Sequence, residues 1–411
     1  GTAGFSVVEG PASSASLPSD YEFVAEDLGS HTFALSAVFT EAGSYVIKAE
    51  DLSESAIYGT FDLEVTASNT SISDAIDLSN PVLTVNTPSN NSNWNGDVVF
   101  NASVSDSNSV SLFNDYGLVS WWRMDDVSGS TLIDYVGRNN GSVVGNASQT
   151  DDGYFGKGME FDGDGDYVEV DMLGTLPIGS SSRTVSVWVK LVPDVSTYGR
   201  PVFWGSGDTN KEFGIYSHYG SGTWYFGTYG GNYNTGVSLD DSWHHHLSSY
   251  DGTTLLYYID GVLEVDEEVI LNTSNSNVFL GSTYGAGSYL NGTIDDVMIY
   301  NRSLSANEIQ AMYANASAKY LNASVSMAEG TRDVTVYSQD VGGNVVSSVV
   351  ANVSVDLTSP TVSVVSPLNG TYDSNAVLVN VSSSEEGTGM IVGSLDNSLV
   401  SWWRMDDANA T

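Results

Sequence analysis

The chain contains no cysteine, few prolines and few basic residues. Of its 411 residues, nine are Pro and 12 are Lys or Arg, against 51 Asp or Glu. Disulfides therefore cannot hold the fold, but a protein with a large core does not need them, and an extracellular location stays open. The formal net charge of −39 disfavours nucleic acid and anionic membranes as partners and favours cations, Ca²⁺ above all.

Long apolar runs are also absent. No stretch approaches the roughly 18 apolar residues of a transmembrane helix, so the sequence predicts no membrane span in this segment. The first residues lack the features of a signal peptide, and we expect any signal or anchor to lie outside the segment. Long helical periodicity is scarce, whereas Gly, Ser, Thr, Asn, Val and Tyr are abundant. This composition predicts an all-β protein with tight turns.

A ten-residue segment occurs twice with one difference. GLVSWWRMDD at 117–126 returns as SLVSWWRMDD at 398–407, and residues 81–105 align without gaps with residues 360–384. Self-similarity at a fixed period, here about 280 residues, is the signature of a repeating protein. We therefore expect the chain to be a length of a longer protein, cut inside domains at both ends.

Two separated parts of the chain resemble the halves of one bacterial or archaeal Ig-like repeat. Residues 80–116 contain alternating strands, and residues 316–357 contain the segment DVTVYSQDVGGN, which is similar to the later hairpin of such repeats. The resemblance implies a sandwich interrupted by one inserted domain, since loop tips tolerate insertions. Further partial units are predicted: an Ig-like domain of the filamin type at 1–67, the first half of the next Ig-like domain at 360–397, and the first strand of its insert at 398–411.

The inserted residues 117–315 resemble the LamG-like jelly roll of the concanavalin A-like lectin/glucanase superfamily. Its markers occur in order, from SWWRMDD through GKGMEFDGDGDYVEV and TVSVWVK to GTIDDVMIYNRSL. The resemblance implies two packed antiparallel sheets, and Ser305 followed by Glu308 predicts the cap of one short helix. The predicted fold class is all-β: Ig-like sandwiches with an inserted LamG-like jelly-roll sandwich.

Clustered aspartates predict a structural calcium site, because hard cations need several oxygen ligands. The candidate ligands are Asp125, Asp126, Asp166, Asp295 and Asp296. The resemblance implies that the first and last strands of the jelly roll lie close together, near a structural Ca²⁺ that many members carry. The alternative is that these acids form turns and protect sheet edges.

Two further patterns are more typical of structural residues than of catalytic or metal-binding ones. Residues 264–268 match the Glu-x-Asp-x-Glu pattern of glucanases, except that Glu267 stands where glucanases place an apolar residue. We expect Leu263 and Val265 to face inward and the acids to face water, and we predict no enzymatic activity. Three consecutive histidines at 244–246 lie on a predicted strand, where neighbours point to opposite faces, so at most two could share a metal.

Aromatic residues are dense between 198 and 233. Together with Gly and Asn, they are typical of surfaces that recognise sugars or proteins by stacking and hydrogen bonding. About half of them are expected to belong to the sandwich core in either case. The predicted contact residues are Tyr216, Tyr219, Trp224, Tyr229 and Tyr233.

Asn-x-Ser/Thr acceptors occur about twice as often as the composition predicts. They indicate a glycosylated surface protein. The fourteen acceptors are Asn69, Asn90, Asn101, Asn140, Asn146, Asn272, Asn291, Asn301, Asn315, Asn322, Asn352, Asn369, Asn380 and Asn409.

These features together predict a non-enzymatic structural glycoprotein, extracellular or at the cell surface. Ig-like modules would form a stalk that displays LamG-like domains for adhesion or for assembly of a surface lattice or filament. The expected partners are neighbouring copies of the protein or cell-surface glycans and proteins. The alternative function is an array of carbohydrate-binding modules attached to a glycoside hydrolase.

Overall fold

A computed structural model describes most of the chain. The described residues are 2–9, 15–16, 21–22, 38–39, 43–51, 58–65, 79–172, 174–192, 198–218, 220–313, 316–373 and 377–383. Within these ranges the chain forms 32 strands and one short helix, so the predicted all-β class is confirmed. No helix in the described part has the length and apolar character that crossing a membrane requires.

The N-terminal strands form an antiparallel sheet of their own. They are β1 (Thr2–Glu9), β2 (Ala15–Ser16), β3 (Tyr21–Glu22), β4 (Val38–Phe39), β5 (Gly43–Asp51) and β6 (Tyr58–Val65). Their order in the sheet is β3-β1-β5-β6, and β2 pairs separately with β4.

Four strands precede the predicted insert: β7 (Val82–Thr87), β8 (Asn93–Trp94), β9 (Val98–Ser105) and β10 (Val110–Asn114). The strands of the insert are β11 (Leu118–Trp122), β12 (Val127–Ser128), β13 (Thr131–Leu132), β14 (Gly141–Val144), β15 (Ser148–Thr150), β16 (Gly158–Asp162), β17 (Tyr167–Val170), β18 (Arg183–Leu191), β19 (Val202–Gly205), β20 (Glu212–His218), β21 (Thr223–Gly227), β22 (Asn232–Ser238), β23 (Trp243–Tyr250), β24 (Thr254–Ile259), β25 (Val262–Glu268), β26 (Val278–Leu280) and β27 (Asn291–Tyr300). The helix and the remaining strands are α1 (Ala306–Met312), β28 (Ala318–Val325), β29 (Gly330–Asp340), β30 (Val345–Val355), β31 (Val362–Ser366) and β32 (Asn380–Ser383).

The strands of the insert make a two-sheet sandwich, which we call the jelly roll. One sheet has eight strands, in the order β15-β16-β27-β18-β23-β24-β25 with β11 also paired to β27, and the other has nine, in the order β12-β13-β14-β17-β26-β19-β20-β21-β22. Because alternate residues of a strand share a face, Val185, Val187 and Val189 all enter the space between the sheets. There they meet Trp204 and Phe226 of the opposite sheet in one continuous apolar core.

The strands before and after the jelly roll pair with one another. One sheet has the order β10-β29-β30-β8 and the other β28-β9-β7, so residues about 220 positions apart lie side by side. Between the sheets Val98, Phe100, Val336 and Val353 are completely buried. We call this unit the flanking sandwich. In sequence, the jelly roll lies between the two halves of the flanking sandwich. The chain therefore leaves the flanking sandwich after β10 and returns to it at β28.

The short pair β31–β32 repeats the geometry of β7–β9. Val362 lies opposite Ser383, as Leu83 lies opposite Val104 in the first copy, and both pairs have an irregularity near the end of the first strand. Each of these residues stands 279 positions after its counterpart. The repeated sequence therefore pairs in the same register in both copies.

Helix α1 begins where the sequence predicts. Ser305 is the N-cap residue, and the Glu308 carboxylate accepts a hydrogen bond from the Ser305 backbone N–H at 3.0 Å. Glu308 is buried and also accepts hydrogen bonds from Arg302 and from the Asn114 side-chain amide. Since Asn114 belongs to β10, the cap ties the helix to the flanking sandwich.

Candidate functional site

The outer faces of the two sheets of the jelly roll differ in what covers them. The outer face of the eight-stranded sheet is covered by α1 and the flanking sandwich, and we call this contact the seam. The outer face of the nine-stranded sheet carries a group of aromatic side chains along β19, β20 and β21 and the adjoining turns. We call it the aromatic face; its rings are those of Tyr198, Phe203, Tyr216, His218, Tyr225, Tyr229, Phe279 and Tyr284.

The floor of the aromatic face is a largely buried ion pair under stacked tyrosines. Arg200 donates to the Glu212 carboxylate at 2.6 Å, and its guanidinium lies 4.5 Å from the centre of the Tyr216 ring. A Cβ at Gly214 or Gly227 would lie 3.3 Å from the same guanidinium, so glycine at both positions leaves room for it. The charges of Arg200 and Glu212 therefore neutralise each other at the surface of the sheet.

The predicted contact residues do not all reach this face. Tyr216 does, although only 4% of it is exposed, because it supports the Tyr225 ring at 5.3 Å. Tyr229 stands at the turn after β21 and is 55% exposed. Trp224 and Tyr233 are corrections to the prediction: they point between the sheets, where Trp224 is completely enclosed and Tyr233 packs against the core. Tyr219 lies outside the described residues.

Two exposed rings of the aromatic face, Tyr198 and Tyr284, were not among the predicted contact residues. Tyr284 is 42% exposed and rests edge-on against Phe203, with ring centres 4.8 Å apart. It lies in the loop before β27, some 50 residues from the aromatic-rich stretch in sequence. Its only signal was a tyrosine within a Gly-rich segment, STYGAGSYL, which is equally typical of an ordinary turn.

The repeated motif forms the centre of the seam. Trp121 is fully buried, 5.0 Å from Phe113 and 5.7 Å from Tyr337 of the flanking sandwich. Next to it, Arg123 donates to the Gly343 carbonyl oxygen at 2.7 Å and to Asp125 at 3.0 Å. The neighbouring Trp122 points the other way, into the core of the jelly roll. The motif thus joins the two sandwiches.

Three of the five predicted calcium ligands lie near one another behind the seam. Burial raises the pKa of Asp125 to about 6 and that of Asp296 to about 8. Burial, together with the adjacent Asp296, raises the pKa of Asp295 well above its usual value. Asp125 contributes to both of the latter shifts, since like charges in a poorly solvated site repel each other.

Most oxygens of these carboxylates accept hydrogen bonds from the protein itself. Both oxygens of Asp295 accept backbone N–H groups, from Phe155 at 2.8 Å and Asp296 at 2.7 Å, and Asp296 accepts the Trp121 indole N–H. The positive charge beside Asp125 is the guanidinium of Arg123. Among the described residues, no three acidic, His or Cys side chains are grouped so as to hold a metal.

The other two predicted ligands are placed elsewhere. Asp126 is partly exposed, 3.5 Å from Arg123, whereas Asp166 is buried in the β16–β17 hairpin and accepts the Asp162 backbone N–H at 2.9 Å. Burial raises the pKa of Asp166. Calcium binding by the chain stays a prediction of the sequence, and a change of melting temperature on adding a chelator is the measurement that tests it.

The three histidines have separate partners. The carboxylate of Asp260 hydrogen-bonds the ring of His244 at 2.6 Å and raises its pKa, whereas burial lowers the pKa of His245 to about 3. His246, also buried, contacts the Tyr257 hydroxyl at 2.8 Å. As expected from strand geometry, they do not converge on one point.

The glucanase-like pattern lies on β25, the edge strand of the eight-stranded sheet. Asp266 and Glu268 are exposed and Val265 is buried, as predicted, but Leu263 is 44% exposed. A register shift between Tyr257 and Tyr258 turns this end of the strand, which is why Leu263 does not alternate with Val265 as expected.

Most glycosylation acceptors lie at the surface. Eleven of the fourteen are in the described part of the chain, where nine are exposed and Asn101 and Asn291 are half-buried. Asn69, Asn315 and Asn409 lie outside the described residues. Residues 147–271, which include all the strands from β19 to β22, contain no acceptor. The aromatic face is therefore built largely from the part of the chain that lacks glycosylation sequences.

Comparisons with known proteins bear on the jelly roll. Residues 162–310 match the family model of the concanavalin A-like lectin/glucanases superfamily, which supports the jelly-roll resemblance of that part. No curated protein sequence matches the chain.

Three similar solved structures each align with 48% of the chain. Domain 4 of a GH43 extracellular arabinanase from Geobacillus stearothermophilus, solved with arabinotriose, is 22% identical, with a TM-score of 0.37, and 98% of it is covered. Trypanosoma rangeli sialidase is 17% identical, with a TM-score of 0.38, and the chain spans about a third of it, 32%. The binding domain of Paraclostridial Mosquitocidal Protein 1 is also 17% identical, with a TM-score of 0.38 and 52% covered.

Proposed function

We propose that the jelly roll binds glycans through its aromatic face. The observation that carries the proposal is the set of partly exposed rings, including Tyr198, Tyr229 and Tyr284, held above buried rings on one sheet surface. Tyrosine offers a large, rigid, amphipathic contact area with little loss of conformational entropy, and its hydroxyl can hydrogen-bond a sugar. Rings fixed from below lose less freedom on binding than mobile ones.

The proposed biological setting is a non-enzymatic, extracellular surface glycoprotein. Ig-like modules would carry jelly rolls as lateral arms, with glycans or neighbouring copies as partners in adhesion or in a surface lattice. The exposed acceptor asparagines and the net charge of −39 support this setting, because sugars and charge keep a crowded surface hydrated. The seam supports it too, since it leaves the aromatic face pointing away from the flanking sandwich.

We propose no catalytic role for residues 264–268. Their strand lies at a sheet edge, and Asp266 and Glu268 point into water, away from the aromatic face of the other sheet. Glycoside hydrolysis needs two carboxyl groups on either side of one bound glycosidic bond. The edge position supplies no wall on which a sugar could be held between them.

The test is glycan-array screening of the full chain, followed by titration calorimetry on the best ligand. We expect Tyr229→Ala to weaken binding at least tenfold. The matched control is Tyr320→Ala on β28 of the flanking sandwich, where an exposed tyrosine (78%) is removed far from the aromatic face, and its effect should stay below twofold. Absence of binding to any glycan on the array would contradict the proposal.

A further inference from the structure

Two tyrosines of the aromatic face hold a backbone conformation that bulky residues rarely adopt. Tyr229 has φ 59° and Tyr284 has φ 54°, both in the left-handed region. For a non-glycine residue this conformation costs about 1 kcal/mol or more, and such strain collects at binding sites. Because the same strained conformation occurs at two neighbouring exposed tyrosines, we infer that it serves to place their rings.

The two rings meet over one glycine. A Cβ at Gly207 would lie 3.4 Å from the Tyr229 ring and 3.7 Å from the Tyr284 hydroxyl, within van der Waals contact of both. We call Tyr229 and Tyr284 the tyrosine pair. The ring of Tyr284 is also fixed from below, by edge contacts with the buried rings of Phe203 and Phe279. The pair is thus preorganised, with Gly207 beside both rings and two phenylalanines below Tyr284.

The charges around the tyrosine pair favour an uncharged ligand. Between residues 198 and 290 the sequence contains only two Lys or Arg residues, Arg200 and Lys211. Each is paired with a carboxylate, Arg200 with Glu212 at 2.6 Å and Lys211 with Asp208 at 3.2 Å. A carboxylated or sulfated sugar would have to break one of these pairs and to enter the field of a chain with net charge −39.

We propose that the tyrosine pair binds an uncharged sugar chain and discriminates against glycans that carry carboxylate or sulfate groups. This inference rests on the proposed function of the aromatic face and specifies its ligand class. Stacking on tyrosine rings and hydrogen bonds to hydroxyl groups supply the affinity, and the paired cations supply the selectivity. Binding of the neutral sugar therefore needs no exchange of salt ions with the solvent.

The experiment compares matched glycans on the full chain by calorimetry. The probes are N-acetyllactosamine with and without terminal sialic acid, and xylo-oligosaccharides with and without glucuronic acid side groups. We expect at least one pair in which the neutral member binds at least tenfold more tightly than its charged form. Salt screens exposed charges increasingly between 50 and 500 mM NaCl. Because the proposed binding of the neutral glycan uses no charge, its affinity should change less than twofold over this range.

Variants and outcomes separate the inference from the proposed function. Tyr284→Ala and Tyr229→Gly, which suits the left-handed backbone, should each lose at least tenfold in affinity for the neutral glycan, and Tyr320→Ala less than twofold. Equal or tighter binding of the charged members, or unchanged binding by both tyrosine variants, overturns the inference and leaves glycan binding standing. Absence of binding to every glycan, here and on the array, overturns the proposed function itself.

Discussion

The two outer faces of the jelly roll show how one sandwich can use equivalent surfaces in opposite ways. On the seam side, Trp121 and Arg123 are enclosed between two sandwiches, where the indole N–H donates to Asp296 and the guanidinium to the Gly343 carbonyl oxygen. On the other side, Tyr229 and Tyr284 remain about half exposed although the rings below them are buried. Aromatic residues dominate both faces, so composition does not distinguish them. The difference lies in what covers each ring.

An aromatic residue that the flanking sandwich covers is part of a packed contact between two units, whereas one left uncovered in the described structure is free to meet the ligand that we propose. The seam face should therefore respond to substitution through stability, and the aromatic face through binding. Four measurements test that separation, in order of expected size.

The largest effect is expected for Trp121→Ala. The substitution removes a completely buried indole and leaves Asp296 without its donor, so we expect the free energy of unfolding to fall by about 3–5 kcal/mol. Denaturant unfolding followed by circular dichroism measures it. The comparison variant Tyr229→Ala should cost less than about 1 kcal/mol. A loss below about 1 kcal/mol for Trp121→Ala would show that the seam contributes little to stability.

Arg123→Ala should cost about 2–3 kcal/mol, because a largely buried cation is withdrawn from Asp125 and from the Gly343 carbonyl. Arg123→Lys should restore only part of the loss, since an ammonium group cannot reproduce the planar fork. The control is Lys157→Ala, which removes an exposed ion pair with Asp151 and should cost less than about 0.5 kcal/mol. Equal losses for Arg123→Ala and Lys157→Ala would contradict the assignment of Arg123 to the seam.

His245 lines the seam side and should make its stability pH-dependent. Burial lowers the pKa of His245 to about 3, below the value of about 6.5 in the unfolded chain. The stability that the neutral, buried ring contributes to the folded state is therefore complete above pH 6.5 and is lost as the pH falls. At pH 5.5 we expect about 1.4 kcal/mol of this loss. The unfolding free energy of the native chain should fall by that much more between pH 7.5 and 5.5 than that of His245→Asn. An NMR titration midpoint above pH 5 for His245 would contradict it.

The smallest effect concerns the backbone of the aromatic face. Because Tyr229 is left-handed, Tyr229→Gly should be more stable than Tyr229→Ala by about 1 kcal/mol. The order should reverse at Tyr225, which lies in β21 on the same face and is not left-handed, so that glycine should be the less stable by about 0.5–1 kcal/mol. Thermal unfolding of the four variants checks both signs. The same order at both positions would show that Tyr229 is not strained.

Much of the fold could be predicted from local patterns. The alternation of Val185, Val187 and Val189 with other residues is typical of a strand, and the spacing of Ser305 and Glu308 predicts the start of α1. Both signals depend on residues close together in sequence, where the geometry of one element decides the outcome. The all-β class followed from many such signals.

The candidate site was less predictable. In TWYFG, the sequence of β21, Trp224, Tyr225 and Phe226 follow one another, so the alternation of polar and apolar residues is weak. Trp224 was consequently expected at the surface, although its strand register turns it into the core. Tyr284 was missed because its place beside Tyr229 depends on the packing of a distant loop over β19 and β26.

The sequence by itself determined that the chain is built from strands, that one unit repeats after about 280 residues, and that aromatic and acidic residues are concentrated in particular segments. Only the tertiary structure decided the use of those residues. The same motif sends Trp122 into one core and Trp121 to the seam, and Arg123 finds a carbonyl 220 positions away. Successive residues of a strand face opposite sides, and the element that covers each side comes from a remote part of the chain.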